Sequence, residues 1–499
     1  MLFSQFDLVR FNLARFDLAL QGWGWGAAAL TIPWGLAAPA AQALCPAELP
    51  ARVEAIAAQP ELNHARLGVQ VETMDGEVIY SRQGDRFFLP ASNMKLFSTA
   101  AVLTALGPDY RIPTQVYGRW DPVTDLPIIR VVGQGDPSFD SDDLVDLAHQ
   151  LQARDLQHIH QLLGDESAFA GDSVHPNWEW EDVQAGYGAA VNSLILNGNA
   201  LGLTLFPQAV GQPLRVEWDQ PALAAHWQVE NQSTTVTPGE PEYVSVGRQL
   251  SGPILRVAGQ LIVGSEPEAA AIAVANPGES FLTAFSNVLV NHGITVDSAT
   301  LTTTPLYASE TPWASVISPT LAELLIPANR SSNNLYAEAL LKQLGLFDGQ
   351  DATAAALATA RAILADMGVN LDEVVIADGS GLSRHNLATP QALVDVLQGM
   401  VVSPHSEVYR NSLAVAGING TLRNRFRDTP IEGRFWGKSG AVSRNFSLSG
   451  YLEPLNHDPL AVSVVINNID QRGRVARQLI DAVMGEIAAL SSCESSTTE

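Results

Sequence analysis

Alternation of apolar and polar residues marks the first structural unit of the chain. Residues 67–73 and 77–81 alternate on either side of a Met-Asp-Gly turn, a pattern that predicts a β-hairpin. A short helix is predicted before it, over residues 44–59. The largely apolar run 92–106 predicts a buried helix, which ends at a Gly-Pro pair.

The middle of the chain has a different character. Between residues 111 and 305, short apolar runs that favour strands, such as 128–132, alternate with Gly, Pro and Asp. This pattern predicts a mixed α/β region inserted into the first domain. We expect two nested units, one over 112–200 and 280–305, and the other over 201–279.

Helical periodicity returns in the last third of the chain. Helices are predicted at 318–325, 332–344, 352–367, 389–400 and 472–490. Strands are predicted at 434–438, 446–452 and 460–466. Because strand candidates occur near both ends of the chain, we expect one sheet with flanking helices, built from residues 44–111 and 306–495 around the insertion.

The N-terminal segment, residues 1–43, has the order of features of a secretory signal peptide. Two arginines precede an uncharged apolar stretch that ends in Ala41-Gln42-Ala43. Cleavage after this tripeptide is expected, and a retained membrane anchor is the alternative. Secretion would place Cys45 and Cys493 in an oxidising compartment, where they would either pair or remain two free thiols.

Composition limits the classes of partner. The formal net charge of −25 argues against nucleic acid or an anionic membrane surface as the main partner. Any anionic substrate would therefore need locally placed cations. The chain has only three lysines, Lys95, Lys342 and Lys438. Their positions are informative, because a buried lysine can lose its proton near neutral pH, whereas an arginine cannot.

The first candidate chemistry lies at the start of the predicted helix 92–106. Ser92 and Lys95 are three residues apart, so their side chains share one face of the helix. A serine hydroxyl needs an adjacent base to become a good nucleophile, and a neutral lysine can be that base. Taken alone, the pair is frequent by chance, and a structural lysine is then the simpler interpretation.

Two further patterns involve the same residue types. Lys438-Ser439-Gly440 lies on a predicted strand, where small residues would let a ligand backbone approach the lysine. A solvated lysine on a strand edge is its structural alternative. Ser332 and Asn334 can both face one cavity, and capping of the following helix is their structural alternative.

The three patterns occur in the order Ser-x-x-Lys, Ser-x-Asn, Lys-Ser-Gly, and the chain thereby resembles the β-lactamase and penicillin-binding protein superfamily. Ser92 and Ser332 are 332 − 92 = 240 residues apart, which leaves room for a large insertion. In this the chain resembles peptidase family S13, the class C low-molecular-mass penicillin-binding proteins. Further segments similar to that family are 133–137, 186–189, 197–199, 378–384 and 417–422.

The resemblance implies a fold and a set of catalytic roles. The fold class is α/β (α+β), with a β-lactamase/transpeptidase-like domain whose central antiparallel sheet is flanked by helices. Ser92 would be the nucleophile and Lys95 its base. Ser332 would pass a proton to the leaving amine, Asn334 would hold the substrate amide, and Lys438 would keep the local field positive.

The resemblance also implies substrate contacts. Ser439 and the neighbouring Lys438, beside Gly440, would bind a terminal carboxylate, and the N–H groups of Ser92 and Ala441 would form the oxyanion hole. Serine stands at position 439 where the family usually has threonine, and it keeps the hydroxyl.

The resemblance further implies a second group of substrate contacts. Arg384 would contact a carboxylate of the peptidoglycan stem peptide, and Asp182 or Glu181 an ammonium. Salt bridges between loops are the alternative for all three.

The implied activity is D-Ala-D-Ala carboxypeptidase or endopeptidase action on peptidoglycan stem peptides, with β-lactams trapped on the same serine. A β-lactamase is disfavoured by the long insertion, and a non-catalytic cell-wall-binding protein by the intact reactive positions. The sequence shows no metal-ligand cluster, and the resemblance implies no cofactor. We expect export to the periplasm or cell envelope of a bacterium; peripheral membrane association and oligomeric state stay open.

Overall fold

A computed structural model describes residues 44–249, 252–346 and 351–493, so the predicted signal peptide, 1–43, lies outside the described residues. The α-helices are α1 (Leu49–Ala57), α2 (Met94–Leu106), α3 (Ser141–Gln152), α4 (Pro221–Ala224), α5 (Pro277–Asn291), α6 (Leu321–Asn329), α7 (Asn334–Lys342), α8 (Ala352–Asp366), α9 (Pro390–Val401), α10 (Ser406–Ser412) and α11 (Gly473–Ala488). Short 3₁₀ turns also occur, and one of them, Ala91–Asn93, leads directly into α2.

The β-strands fall into a main sheet and several smaller ones. They are β1 (Arg66–Thr73), β2 (Val78–Arg82), β3 (Pro113–Trp120), β4 (Pro127–Val132), β5 (His158–Ile159), β6 (Gln161–Asp165), β7 (Ala200–Phe206), β8 (Arg215–Trp218), β9 (Gln228–Val236), β10 (Tyr243–Arg248), β11 (Ile254–Ile262), β12 (Glu268–Ala273), β13 (Thr295–Val296), β14 (Ala299–Thr302), β15 (Thr311–Ile317), β16 (Val374–Val375), β17 (Leu387–Ala388), β18 (Ala414–Val415), β19 (Phe435–Val442), β20 (Asn445–Leu452) and β21 (Leu460–Asn467).

The main domain is built on a six-stranded antiparallel sheet in the order β18-β19-β20-β21-β1-β2. The N-terminal strand β1 pairs with the C-terminal strand β21 along its whole length, from Arg66↔Asn467 to Thr73↔Leu460. The expectation of one sheet formed from both ends of the chain is therefore confirmed.

Helices cover both faces of this sheet, because apolar residues point to both sides of its central strands. Along β21, Val462 and Val464 pack with α1 and α11. Ala461 and Val465 face the opposite core, which contains α2, α6, α7, α8, α9 and α10. The helix α2, on which Lys95 lies, is thus buried from Met94 to Leu103, and its C-terminal end reaches the surface.

The inserted region begins after α2 and contains a five-stranded mixed sheet in the order β14-β6-β4-β3-β15. The helices α3 and α5 contribute to its core. The strand β15 pairs antiparallel with β3, so this sheet reaches residue 317. The insertion was predicted to end at residue 305, and β15, which begins at Thr311, pairs with a strand that lies far away in sequence.

Within the insertion, strands β7 to β12 form a nested unit. Two three-stranded sheets, β12-β7-β8 and β10-β11-β9, share one hydrophobic core. The unit extends from Ala200 to Ala273, close to the predicted range 201–279.

The two ends of the described chain meet. Cys45 and Cys493 form a disulfide with their Cα atoms 5.6 Å apart, which answers the question that the sequence left open. Leu44 adds backbone hydrogen bonds to Ala489 and Ser491, each 2.9 Å long. Among the residues that the structure describes, no helix is long and apolar enough to cross a membrane.

Candidate active site

Ser92 and Lys95 come together at the N-terminal end of α2. Ser92 lies in the 3₁₀ turn Ala91–Asn93 and Lys95 in the first turn of the helix, so the predicted helix starts slightly later than expected. The Lys95 Nζ lies 3.1 Å from the Ser92 Oγ. The three-residue spacing of Ser92 and Lys95 therefore brings the amine and the hydroxyl into contact, as predicted.

Burial changes the acid–base behaviour of Lys95. The side chain is fully buried, and this loss of hydration lowers its pKa to about 7, against the opposing influence of Asp378 and Glu338, whose negative charges raise it. An amine with this pKa is half neutral near neutral pH, so it can accept the proton of Ser92.

Two more oxygen atoms hold the Lys95 amine in place. The Nζ donates to Asn334 Oδ1 and to the backbone oxygen of Ser380, at 2.6 Å in each case. Asn334 is the first residue of α7, and its amide nitrogen donates to the Tyr187 backbone oxygen at 2.9 Å. The inserted region thus contributes Tyr187 to the edge of the site.

Ser332 and Lys438 form a second contact between a serine hydroxyl and a lysine amine. The Lys438 Nζ lies 2.7 Å from Ser332 Oγ and 2.8 Å from the Ser439 backbone oxygen. Burial holds the pKa of Lys438 well below its usual range, and the positive charge of Lys95 lowers it further. Helix capping, the alternative considered for this segment, is supplied instead by Asn333, whose side chain accepts from the Tyr336 N–H.

The strand β19 approaches Ser92 closely. A Cβ atom at Gly440 would lie 2.8 Å from the Pro90 oxygen and 3.0 Å from the Ser92 nitrogen. Only a residue without a side chain fits this approach. In addition, Ser439 Oγ donates to Thr421 Oγ1 at 2.8 Å.

Within the part of the chain that the structure describes, one edge of β19 is largely without a neighbouring strand. The short strand β18 pairs only with Trp436 and Gly437, so the segment 438–442 has a β-neighbour on one side alone, β20. Such an edge can accept an extended ligand backbone.

Arg384 and Asp182, both predicted to bind substrate, form a salt bridge with each other. Their Nη1 and Oδ2 atoms lie 2.7 Å apart, and the other Nη group is 3.0 Å from the carboxylate of Glu179. The Tyr187 hydroxyl donates to Asp182 at 3.0 Å. Glu181, the alternative to Asp182, is exposed. The salt bridge between loops that the sequence left open is therefore present.

Several residues of the site were not singled out from the sequence. They are Glu179, Tyr187, Glu338, Asp378 and Ser380. Three of them lie in the segments 186–189 and 378–384, which supplied part of the family resemblance, and this was the available signal. Within the described ranges, no group of three or more His, Cys, Asp or Glu residues could hold a metal ion.

Comparison with known proteins gives three findings. Residues 49–489 match the D-Ala-D-Ala carboxypeptidase 3 (S13) family. The chain is 33% identical to a D-alanyl-D-alanine carboxypeptidase of Actinomadura sp. over 84% of this chain and 81% of that protein. The fold matches the crystal structure of penicillin-binding protein 4 of Haemophilus influenzae with a TM-score of 0.75, at 20% identity, over 87% of this chain and 98% of that one.

The Haemophilus protein is also similar to this chain in a structure complexed with a β-lactam. That match has a TM-score of 0.70 at 21% identity and covers 87% of this chain and 98% of the other. At this level of identity, the two structural matches establish the fold.

Proposed function

The chain belongs to the D-Ala-D-Ala carboxypeptidase 3 (S13) family, and we propose that it removes or cleaves at D-alanine in peptidoglycan stem peptides through an acyl-enzyme on Ser92. The observation that carries this proposal is the buried Lys95 amine, with a pKa of about 7, lying 3.1 Å from the Ser92 hydroxyl. The enzyme is a serine-type peptidase, which is a hydrolase.

Acylation begins with the transfer of the Ser92 proton. Neutral Lys95 accepts this proton while Ser92 Oγ attacks the carbonyl carbon between two D-Ala residues. The N–H groups of Ser92 and Ala441 donate to the oxyanion that forms, a role supported by the close approach of β19 at Gly440.

The leaving amine needs a proton when its bond to the carbonyl carbon breaks. Ser332 passes it on: the proton that Lys95 took from Ser92 reaches the amine through the Ser332 hydroxyl, while Lys438, whose Nζ lies 2.7 Å from Ser332 Oγ, keeps the local field positive. Asn334 binds the substrate amide. Water then attacks the ester on Ser92 and releases the shortened peptide.

An acidic protein must attract the terminal carboxylate of its substrate locally. Lys438 and Ser439 provide the cation and the hydroxyl for this purpose at the open edge of β19. A β-lactam carries a carboxylate next to a reactive carbonyl, so it enters the same site and acylates Ser92, but water releases it slowly.

Arg384 and Asp182 form a second recognition subsite in this proposal. Arg384 lies between the carboxylates of Asp182 and Glu179, so the cluster carries one net negative charge when both acids are ionised. Asp182 would bind the ammonium of a stem-peptide side chain, while Arg384 would bind a carboxylate on the same side chain.

We place the enzyme outside the cytoplasm, in the cell envelope. The Cys45–Cys493 disulfide supports this location, because such bonds persist in oxidising compartments. The predicted signal peptide over residues 1–43 agrees with it.

Covalent labelling tests the proposed function. We expect fluorescent penicillin to label the wild-type chain stably and Ser92→Ala not at all. Ser298→Ala, which removes an exposed serine of the inserted region, serves as the matched control and should label normally. Labelling of Ser92→Ala would refute the assignment of the nucleophile, and rapid release of the label would favour a β-lactamase.

A further inference from the structure

The Lys95 amine is held by a backbone oxygen whose position depends on two buried acids. This oxygen belongs to Ser380, in the turn 378–381, and lies 2.6 Å from Nζ. Glu338 accepts hydrogen bonds from the N–H groups of Gly379 at 3.2 Å and Ser380 at 2.7 Å. The Glu338 carboxylate therefore fixes the backbone on which the Ser380 oxygen lies.

Asp378 acts on the same peptide group from its other side. The Ser380 oxygen and the Gly381 N–H belong to one peptide unit, and this N–H donates to Asp378 at 2.7 Å. A carboxylate on the N–H polarises the unit and makes its oxygen a better acceptor for Lys95. The turn also packs tightly, because a Cβ at Gly381 would lie 1.9 Å from the Ala91 oxygen, directly before Ser92.

The helix α7 contributes both Glu338 and Asn334, a direct contact of Lys95. Asn334 and Glu338 are four residues apart on α7, so their side chains leave the same face of the helix. Asn334 contacts Lys95 directly, and Glu338 does so through the Ser380 backbone. Glu338 is only 3% exposed, so it does not belong to the open substrate cleft.

We propose that Glu338 is a positioning residue for the general base: it fixes the Ser380 backbone so that the Ser380 oxygen holds Lys95 Nζ against Ser92. The role rests on the proposed function of Lys95. Glu338 touches neither Ser92 nor Lys95 through its own side-chain hydrogen bonds, and it acts through Gly379 and Ser380.

The charges around this unit determine the direction of its pH effect. Asp378 and Glu338 both raise the pKa of Lys95. Lys438 is the lysine that faces Lys95, and its own pKa is lowered by burial and by the charge of Lys95. Burial, followed by the charge of Asp378, raises the pKa of Glu338 to about 7. Glu338 also faces Lys342, with which it lines a cavity that includes Asp172, His175 and Asp351.

The test is the rate of acylation by a chromogenic cephalosporin, measured between about pH 5 and 9 in wild type and Glu338→Gln. The N–H groups of Gly379 and Ser380 bind different oxygens of Glu338, and Gln has only one acceptor oxygen. We therefore expect Lys95 to be misplaced and the rate at high pH to fall on the order of tenfold to a hundredfold. The midpoint of the acid limb should move to lower pH, because the Glu338 charge that raises the pKa of Lys95 is gone.

Two variants make the result specific. Asp395→Asn removes another largely buried carboxylate, on α9, and should leave both the high-pH rate and the midpoint unchanged. Glu338→Asp keeps the charge but shortens the side chain, so its rate should fall while its midpoint stays near that of wild type.

A folded Glu338→Gln variant with wild-type rate and midpoint overturns the proposal. If Glu338→Gln does not fold, Glu338→Asp with an unchanged rate overturns it instead. Wild-type protein that takes no acyl group on Ser92 would refute the proposed function itself, which separates the two failures.

Discussion

The side chain of Lys95 is completely buried in α2, yet its amine contacts Ser92, Asn334 and the Ser380 backbone. The three groups that contact the amine are a hydroxyl, a side-chain amide and a backbone carbonyl. Among the described residues, no carboxylate lies within hydrogen-bonding distance of it. Loss of hydration therefore outweighs the more distant charges, and the pKa of the amine falls to about 7. At the scale of single residues, this balance gives Lys95 the pKa that its proposed role as base requires.

Replacement of Lys95 by arginine keeps the charge but removes the base. An arginine side chain stays protonated, so we expect Lys95→Arg to reduce penicillin acylation by about 10²–10⁴-fold. Lys342→Arg is the matched control, since Lys342 is another buried lysine, whose amine donates to the backbone oxygens of Asp172 and Val191 and lies over the Phe169 ring. Near-normal acylation of Lys95→Arg would contradict the role of a neutral lysine.

In the proposed subsite, the Asp182 carboxylate binds the side-chain ammonium of the substrate and takes no part in acylation. We expect Asp182→Asn to lower kcat/KM about tenfold for a stem peptide with a free side-chain ammonium, because an attractive charge is lost. Release of D-alanine measures this effect. β-Lactam acylation and cleavage of the side-chain-acetylated peptide should change little. An equal loss for all three substrates would show that Asp182 only supports the fold.

At the scale of elements, the strand β19 and the turn before α2 must lie close together. The hydroxyl of Ser447 on β20 donates to the Pro90 oxygen at 2.6 Å and ties the two elements. A Cβ at Gly440 would lie 2.3 Å from this hydroxyl. The close approach of β19 to the turn that contains Ser92 therefore depends on a glycine at position 440.

Gly440→Ala should misplace the oxyanion hole while the sheet still forms. We expect acylation to fall at least about tenfold, since a displacement of about 1 Å can cost on the order of 10² in rate. Gly485→Ala is the control: a Cβ at this position of α11 meets no atom within 4 Å, and the change should stabilise the helix slightly. Wild-type acylation by Gly440→Ala would contradict the close approach.

At the scale of the whole molecule, a long insertion separates the two halves of the catalytic domain. The sheet is completed by pairing of β1 with β21, and the disulfide joins residues 448 positions apart in the chain. A cross-link across so long a separation restricts the unfolded chain strongly, so it should favour the folded state.

The double substitution Cys45→Ser with Cys493→Ser should lower the free energy of unfolding by about 2–4 kcal/mol. Urea unfolding with and without a thiol reductant measures this change: the reductant should destabilise the wild type and leave the variant unaffected. Acylation of Ser92 should stay normal, since neither cysteine contacts the site. Equal stability of variant and wild type would contradict the expected contribution.

The sequence by itself determined the local parts of this protein. The spacing of Ser92 and Lys95 places both at one helix end, because neighbours in the chain cannot be far apart in space. Most predicted helices and strands occur within a few residues of the expected bounds. The predicted helix 318–325 differs more: it begins at Leu321, after the cap Thr320, and continues through Pro327 to Asn329.

Only the tertiary structure decided the contacts between distant segments. Lys438 meets Ser332 across 106 residues, and Lys95 meets Asn334 across 239. The partners of Arg384 and the strand pairing of residues 311–317 were also settled by packing. Local spacing contains no information about such distances; they arise when buried polar groups find partners as the sheet and helices close around them.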